Sequence, residues 1–132
     1  VEGPPLAQRR VAIISTAGLH VRSDRPFTFG GASAVNIPGD YRVIPWDTDA
    51  NDLVMSHIST NYDRSGFQKD WNVVFPLDRL RELAEGGVIA SVAKYHYSFM
   101  GATAPHLMET AARTLAGLLK GDGVTAALLV PV

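Results

Sequence analysis

The 132-residue chain contains no cysteine, which excludes a disulfide, a thiolate nucleophile or a zinc–thiolate site built from its own residues. It carries no excess of charge of either sign. Twelve Lys and Arg stand against 13 Asp and Glu, for a net charge of −1, and the cations are scattered. A nucleic-acid partner is therefore not expected, because phosphate recognition needs a basic face or stripe. No apolar run approaches the ~20 residues of a membrane span, and no signal-peptide pattern opens the chain. A cytoplasmic protein with no membrane partner is the expectation. Gly-x-Gly-x-x-Gly and Walker sequences are missing, as are internal repeats and low-complexity segments. What remains is 46% hydrophobic and 19% charged, the composition of one globular domain.

Residues 1–9, with Gly3-Pro4-Pro5, read as a flexible lead-in to a single α/β domain over 10–132. Residues 10–15 are apolar and β-branched, the clearest first strand, broken at Thr16-Ala17-Gly18. Residues 20–40 form a long turn-rich stretch punctuated by Gly30-Gly31 and Pro38-Gly39, and a loop of that length is commonly functional. A second strand is predicted over 41–46, a strand or short helix over 53–58, a loop over 61–71 and a brief extended piece at Val73-Val74-Phe75. Pro76, Asp78 and Gly86-Gly87 punctuate a helix whose face is Leu77, Leu80 and Leu83. The longest helix is predicted over 105–120, with Leu107, Met108, Ala111, Ala112, Leu115, Leu118 and Leu119 as its stripe. Residues 124–132 are apolar along most of their length, as a parallel strand covered on both faces would be. A three-layer α/β fold follows, with the strands near Val11 and Ala127 parallel and central.

Three constellations could carry chemistry. Ser56-His57, followed by Ser59, Asn61 and Asp63, offers a general acid or base with an orienting carboxylate; a hydrogen-bonded histidine at an element end reads equally well. In Tyr95-His96-Tyr97-Ser98 an extended backbone puts His96 and Ser98 on one face, either to bind a carboxylate or position a proton, or as two half-buried polar groups satisfied by backbone. Backbone amides at Ser15-Thr16-Ala17-Gly18 could cradle an anion, although a plain turn explains them too. His57, His96 and Asp63 lack the short spacing of a helical metal motif, so no metal site is expected. His20 and His106 are expected to be solvated, and Trp46 and Trp71 to pack.

Several blocks, modest singly, are specific together: Val11-Ala12-Ile13-Ile14-Ser15-Thr16-Ala17-Gly18-Leu19, Ser56-His57 with Asp63-Arg64, Phe75-Pro76-Leu77-Asp78-Arg79-Leu80-Arg81-Glu82-Leu83, Gly87-Val88-Ile89-Ala90, His96-Tyr97-Ser98-Phe99-Met100-Gly101 and Leu128-Leu129-Val130-Pro131-Val132. From about Arg10 onward the chain resembles the selenoprotein B subunit family of the glycine, betaine, sarcosine and D-proline reductases. The resemblance implies a mostly parallel sheet of Rossmann or flavodoxin-like type. It implies a part in reductive cleavage of a C–N bond in a small amino-acid-like substrate. It also implies a selenocysteine or cysteine nucleophile just after the last strand, that is, after Val132. Such a selenolate or thiolate is ionised near neutral pH and strongly nucleophilic.

On this reading the fold is incomplete at its C-terminus and the chain alone is inactive. A UGA codon read as stop, a cleavage, or a relative without catalysis would each account for the missing nucleophile. His57 and His96 are the expected catalytic residues, and Thr16, Gly18, Asp63 and Ser98 the expected substrate-binding ones, gathered near the carboxyl ends of the strands. A further copy or a partner reductase subunit is expected over residues 128–132. The segment 31–40 does not match the family and is read as a subgroup-specific substrate loop. The competing reading is a non-catalytic α/β module that holds a small anionic ligand or completes a partner's site.

Overall fold

The computed structural model describes residues 2–27 and 39–132; most of the unmatched substrate loop, residues 31–38, lies outside the described residues. In chain order these form strands β1 (Arg10–Ser15), β2 (Leu19–Val21), β3 (Tyr41–Pro45) and β4 (Leu53–Met55), then helices α1 (Ser65–Lys69) and α2 (Leu77–Glu85). Strands β5 (Ser91–Val92) and β6 (Tyr95–Phe99), helix α3 (Pro105–Gly121) and strand β7 (Ala126–Val130) follow. Single 3-10 turns occupy Leu6–Gln8, Ala50–Asp52 and Trp71–Val73. The first of these lies within the expected lead-in, where Arg9 donates to the carbonyls of Pro4 and Thr125.

The sheet is built around β1. Strand β7 pairs with it in parallel along 11–15, from Val11 opposite Ala126 to Ser15 opposite Val130. That leaves the other edge of β1 to β5 and β6, which are also parallel to it. Strand β3 then adds outside β6, antiparallel, so the sheet is mostly but not wholly parallel. A separate antiparallel ribbon joins β2 to β4, so the apolar run over 53–58 is strand at Leu53–Met55 only and not a helix.

Alternation along β1 and β6 divides the core in two. Val11 and Ile13 pack with Phe75, Leu77 and Leu80 around α2. On the opposite face Ile14, Tyr97 and Phe99 pack with Met108, Ala111, Leu115 and Leu119 of α3. Helices thus lie on both faces, and the fold is mixed α/β. Helix α2 begins as its punctuation predicts: Asp78 accepts from the Trp71 indole at 2.7 Å and the Asn72 amide at 3.0 Å, while its own N–H reaches Asn72 at 3.1 Å.

Four expectations are corrected. Strand β7 is not central: β1 is its only partner among the described residues, and Leu129 is 67% exposed. Its continuous apolar run matched a doubly covered strand, yet among the described residues no strand pairs along its outer edge. Residues 61–71 are not all loop, since Asp63 accepts the Ser65 N–H at 2.8 Å at the start of α1. Val73 ends a 3-10 turn rather than starting an extended piece. His20 is buried, its Nδ1 2.8 Å from the Val21 carbonyl, because it lies in β2 and not in a loop.

Candidate functional site at the carboxyl end of the sheet

The turn after β1 brings three segments together. Ser15 donates to the Val74 carbonyl at 2.9 Å and accepts the Ala17 N–H at 3.2 Å, which bends the chain as β1 ends. Gly18 follows with φ +66, a region that disfavours any side chain. A Cβ there would lie 3.0 Å from His57 Cα and 2.8 Å from Met100 Cε. Glycine therefore permits the close approach, which is fixed by Gly18 N–H to Phe99 O and Ser56 N–H to Gly18 O, each 2.9 Å.

Thr16 secures the end of the last strand. Its hydroxyl accepts the Val132 N–H at 2.8 Å and donates to the Val132 carbonyl at 3.2 Å. Its backbone accepts from Gly101 at 2.8 Å and donates to Val130 at 3.1 Å. A Cβ on Gly101 would collide with the Val132 carbonyl, so this position also needs a bare backbone.

Beside this junction is a hollow of about 300 Å³ lined by His57, Ser59, Asn61, Tyr62, Gly101, Ala102 and Val132. That is the low end of the range for small-molecule sites, and no lining side chain is charged. The His57 ring stacks at a tilt against Tyr62, centroids 5.0 Å apart. Its Nδ1 accepts the Ser59 N–H at 3.2 Å, so the neutral ring carries its proton on Nε2. That Nε2 is buried without a hydrogen-bond partner among the described residues. Burial, and secondarily the Arg64 guanidinium, lower the His57 pKa below the ordinary histidine value. The imidazole is thus neutral at pH 7 and keeps its one N–H on the buried Nε2, while the residue borders the hollow.

The other expected site residues are placed differently. His96 is fully buried in β6, where its Nδ1 accepts the Ile13 N–H of β1 at 2.9 Å and its ring meets Phe75 edge-on. It does not line the hollow. Desolvation above all, with the charge of Arg81 next, lowers its pKa to about 4. Ser98 shares its face, as the strand period predicts, but is also fully buried and accepts the Leu19 N–H at 2.9 Å. Asp63 lies on the surface at the start of α1 and does not reach the hollow; accepting the Ser65 N–H lowers its pKa. Of the six expected site residues only His57 lines the hollow; Gly18 and Thr16 hold its neighbours in place, and His96, Ser98 and Asp63 do not line it.

Sequence reasoning passed over Tyr62, Arg64 and Gly101 as parts of the site. Arg64 and Gly101 stand in the matched blocks, but only the folded loop shows Arg64 reaching back to the His57 carbonyl. Among the described residues no cluster of His, Cys, Asp or Glu could hold a metal ion, and no helix is long and apolar enough to cross a membrane.

The family model for "Glycine/sarcosine/betaine reductase selenoprotein B (GRDB)" matches residues 4–132. The chain is 36% identical over 128 residues to the D-proline reductase subunit gamma of Acetoanaerobium sticklandii, covering 94% of this chain and 49% of that protein. It is 35% identical over 97 residues to the sarcosine reductase complex component B subunit beta of Peptoclostridium acidaminophilum, covering 73% of this chain and 21% of that one. The chain thus spans about half the length of the first relative and about a fifth of the second. No solved structure matches.

Proposed function

Because the chain belongs to the glycine/sarcosine/betaine reductase selenoprotein B family, we propose that it forms part of a reductase subunit that cleaves a C–N bond in a small amino-acid-like substrate, with the reacting group placed directly after Val132. The observation that carries this reading is local. Val132, where the family resemblance puts the nucleophile next in line, lines the same hollow as His57. His57 there has a buried Nε2–H without a partner, and an unpaired buried donor is costly unless some group meets it. A selenolate or thiolate is a fitting acceptor, and a neutral imidazole can hold it without quenching it by proton transfer.

When present, that group supplies a nucleophile for the substrate carbon: the C–N electron pair leaves with nitrogen, which takes a proton, and two thiols then release the carbon as a C–H product while being oxidised to a disulfide. The remaining work falls to residues described above. Thr16 and Gly101 fix the chain at Val132, Gly18 admits the His57 backbone, and His57 Nε2–H orients the anion by donating to it. The neutral lining of Ser59, Asn61 and Tyr62 suits a small substrate. Roles for His96, Ser98 and Asp63 can only be indirect on this reading.

The same reading carries the expected Rossmann or flavodoxin-like architecture, with a further parallel strand beside β7, from later sequence, a second copy or a partner reductase subunit. It also places the protein in the cytoplasm, where selenols and thiols stay reduced.

The test uses the longer protein encoded through the codons after Val132, with D-proline and with sarcosine as substrates and a small dithiol as reductant. His57→Gln is expected to lower kcat about 100-fold with little change in KM. A codon after Val132 that specifies neither selenocysteine nor cysteine, with no family-like sequence beyond, would overturn the enzyme reading in favour of a binding module. An unchanged kcat in His57→Gln would remove His57 from the chemistry.

A further inference from the structure

The loop from His57 to Arg64 closes on itself through one side chain. The Arg64 guanidinium donates from Nη2 to the His57 carbonyl and, at 3.3 Å, to the Ser59 carbonyl. Those residues decide which ring nitrogen of His57 holds the proton, since the Ser59 N–H occupies Nδ1. Release the two carbonyls, and the backbone between them can turn that N–H away. Nδ1 would then be free to carry the proton and Nε2 would no longer be a donor.

We propose that Arg64 is the positioning residue of the site: by tying the carbonyls of His57 and Ser59 together it locks His57 in the tautomer that carries its proton on Nε2. This rests on the reading above, in which that N–H meets the reacting group. Arg64 does not line the hollow, so it acts through His57 and not on substrate. Its charge works in the same direction, since a cation beside the ring disfavours the imidazolium. The titratable and charged groups facing His57 are Tyr62 and Arg64 of its own loop. The turn at Gly18 and residues 100–102 contribute none among the described residues, and the reacting group after Val132 is the one the Nε2–H is read to meet.

Nitrogen NMR of the longer protein, encoded through the codons after Val132, reads this without any reductase assay, so its outcome is independent of whether the enzyme reading survives. In the unaltered chain His57 should show a pyridine-like Nδ1 and a pyrrole-like Nε2. Arg64→Gln should mix the two tautomers and move the His57 titration upward. Arg64→Lys, which retains the charge and a donor, should restore both signals most of the way. Unchanged tautomer and titration in Arg64→Gln would overturn the proposal. So would unfolding of both variants with lysine no better than glutamine, because Arg64 would then hold the fold and not the ring.

Discussion

Two histidines in this protein make the same hydrogen bond and differ in what surrounds them. His57 and His96 each use Nδ1 to accept a backbone N–H, from Ser59 and Ile13 respectively, and each leaves a buried Nε2 without a partner among the described residues. His57 lies in a loop against a hollow of about 300 Å³; His96 is fully buried against Phe75, where its Nδ1 takes the Ile13 N–H of β1. Both have depressed pKa values, burial being the first cause each time. A perturbed histidine is therefore not by itself a catalytic one. Their neighbours separate them: His57 borders the hollow, and His96 does not.

The comparison breaks most directly at His96. Replacing it with alanine removes a fully buried ring that touches Phe75 and orphans the Ile13 N–H. The cavity and the lost acceptor together should destabilise the fold by about 3–5 kcal/mol. His57→Ala opens onto existing space and should cost only ~1–2 kcal/mol. Urea unfolding of both variants reads the difference, and equal costs would erase the distinction drawn here.

Acid provides the next largest effect. His96 has a folded pKa of about 4 against an ordinary 6.5, so the unfolded chain binds the proton more readily. Stability from this group is complete above pH 6.5, declines as pH falls towards 4, and amounts to on the order of 3 kcal/mol. His57 contributes in the same direction, and the depressed Asp78 and Asp122 add theirs at lower pH. Urea midpoints at pH 7 and pH 4 should diverge strongly in the unaltered chain. His96→Gln should flatten most of that slope, while His57→Gln should leave most of it in place.

Ser98 tests the same boundary with a smaller effect. Its hydroxyl accepts the Leu19 N–H in a sealed interior, so Ser98→Ala should cost about 1–2 kcal/mol. If Ser98 instead met substrate, KM in the longer protein would rise with stability unchanged.

The sequence made parts of this division legible. Residues 10–15, 77–85 and 105–120 declared themselves through continuous apolarity, Pro and Gly punctuation and a 3.6-residue stripe, and all three are elements of the fold. Alternation correctly put His96 and Ser98 on one face of β6. It could not say that the face was sealed, because that depends on Phe75 arriving from a segment 21 positions earlier. The edge position of β7 was hidden for a similar reason: apolarity reports that a strand wants cover, not whether this chain supplies it. The Arg64 contact with the His57 carbonyl is set by a non-repetitive loop, which no periodicity encodes.

The smallest effect is predicted at Asp63, where spacing suggested the carboxylate that would orient His57. In the structure it accepts the Ser65 N–H at 2.8 Å and stays on the surface, while Nδ1 of His57 is already taken by Ser59. Asparagine retains an oxygen that can make the same bond to Ser65, so Asp63→Asn should fold as the unaltered chain does. A carboxylate paired with His57 would hold its pKa up; burial instead lowers it, and the charge that acts on it is Arg64, in the same direction. The His57 titration followed by NMR should therefore be the same in Asp63→Asn as in the unaltered chain, in contrast to its upward shift in Arg64→Gln. A downward shift on losing the carboxylate would mean that Asp63 reaches His57 in solution, and the loop would have two electrostatic partners for its histidine instead of one.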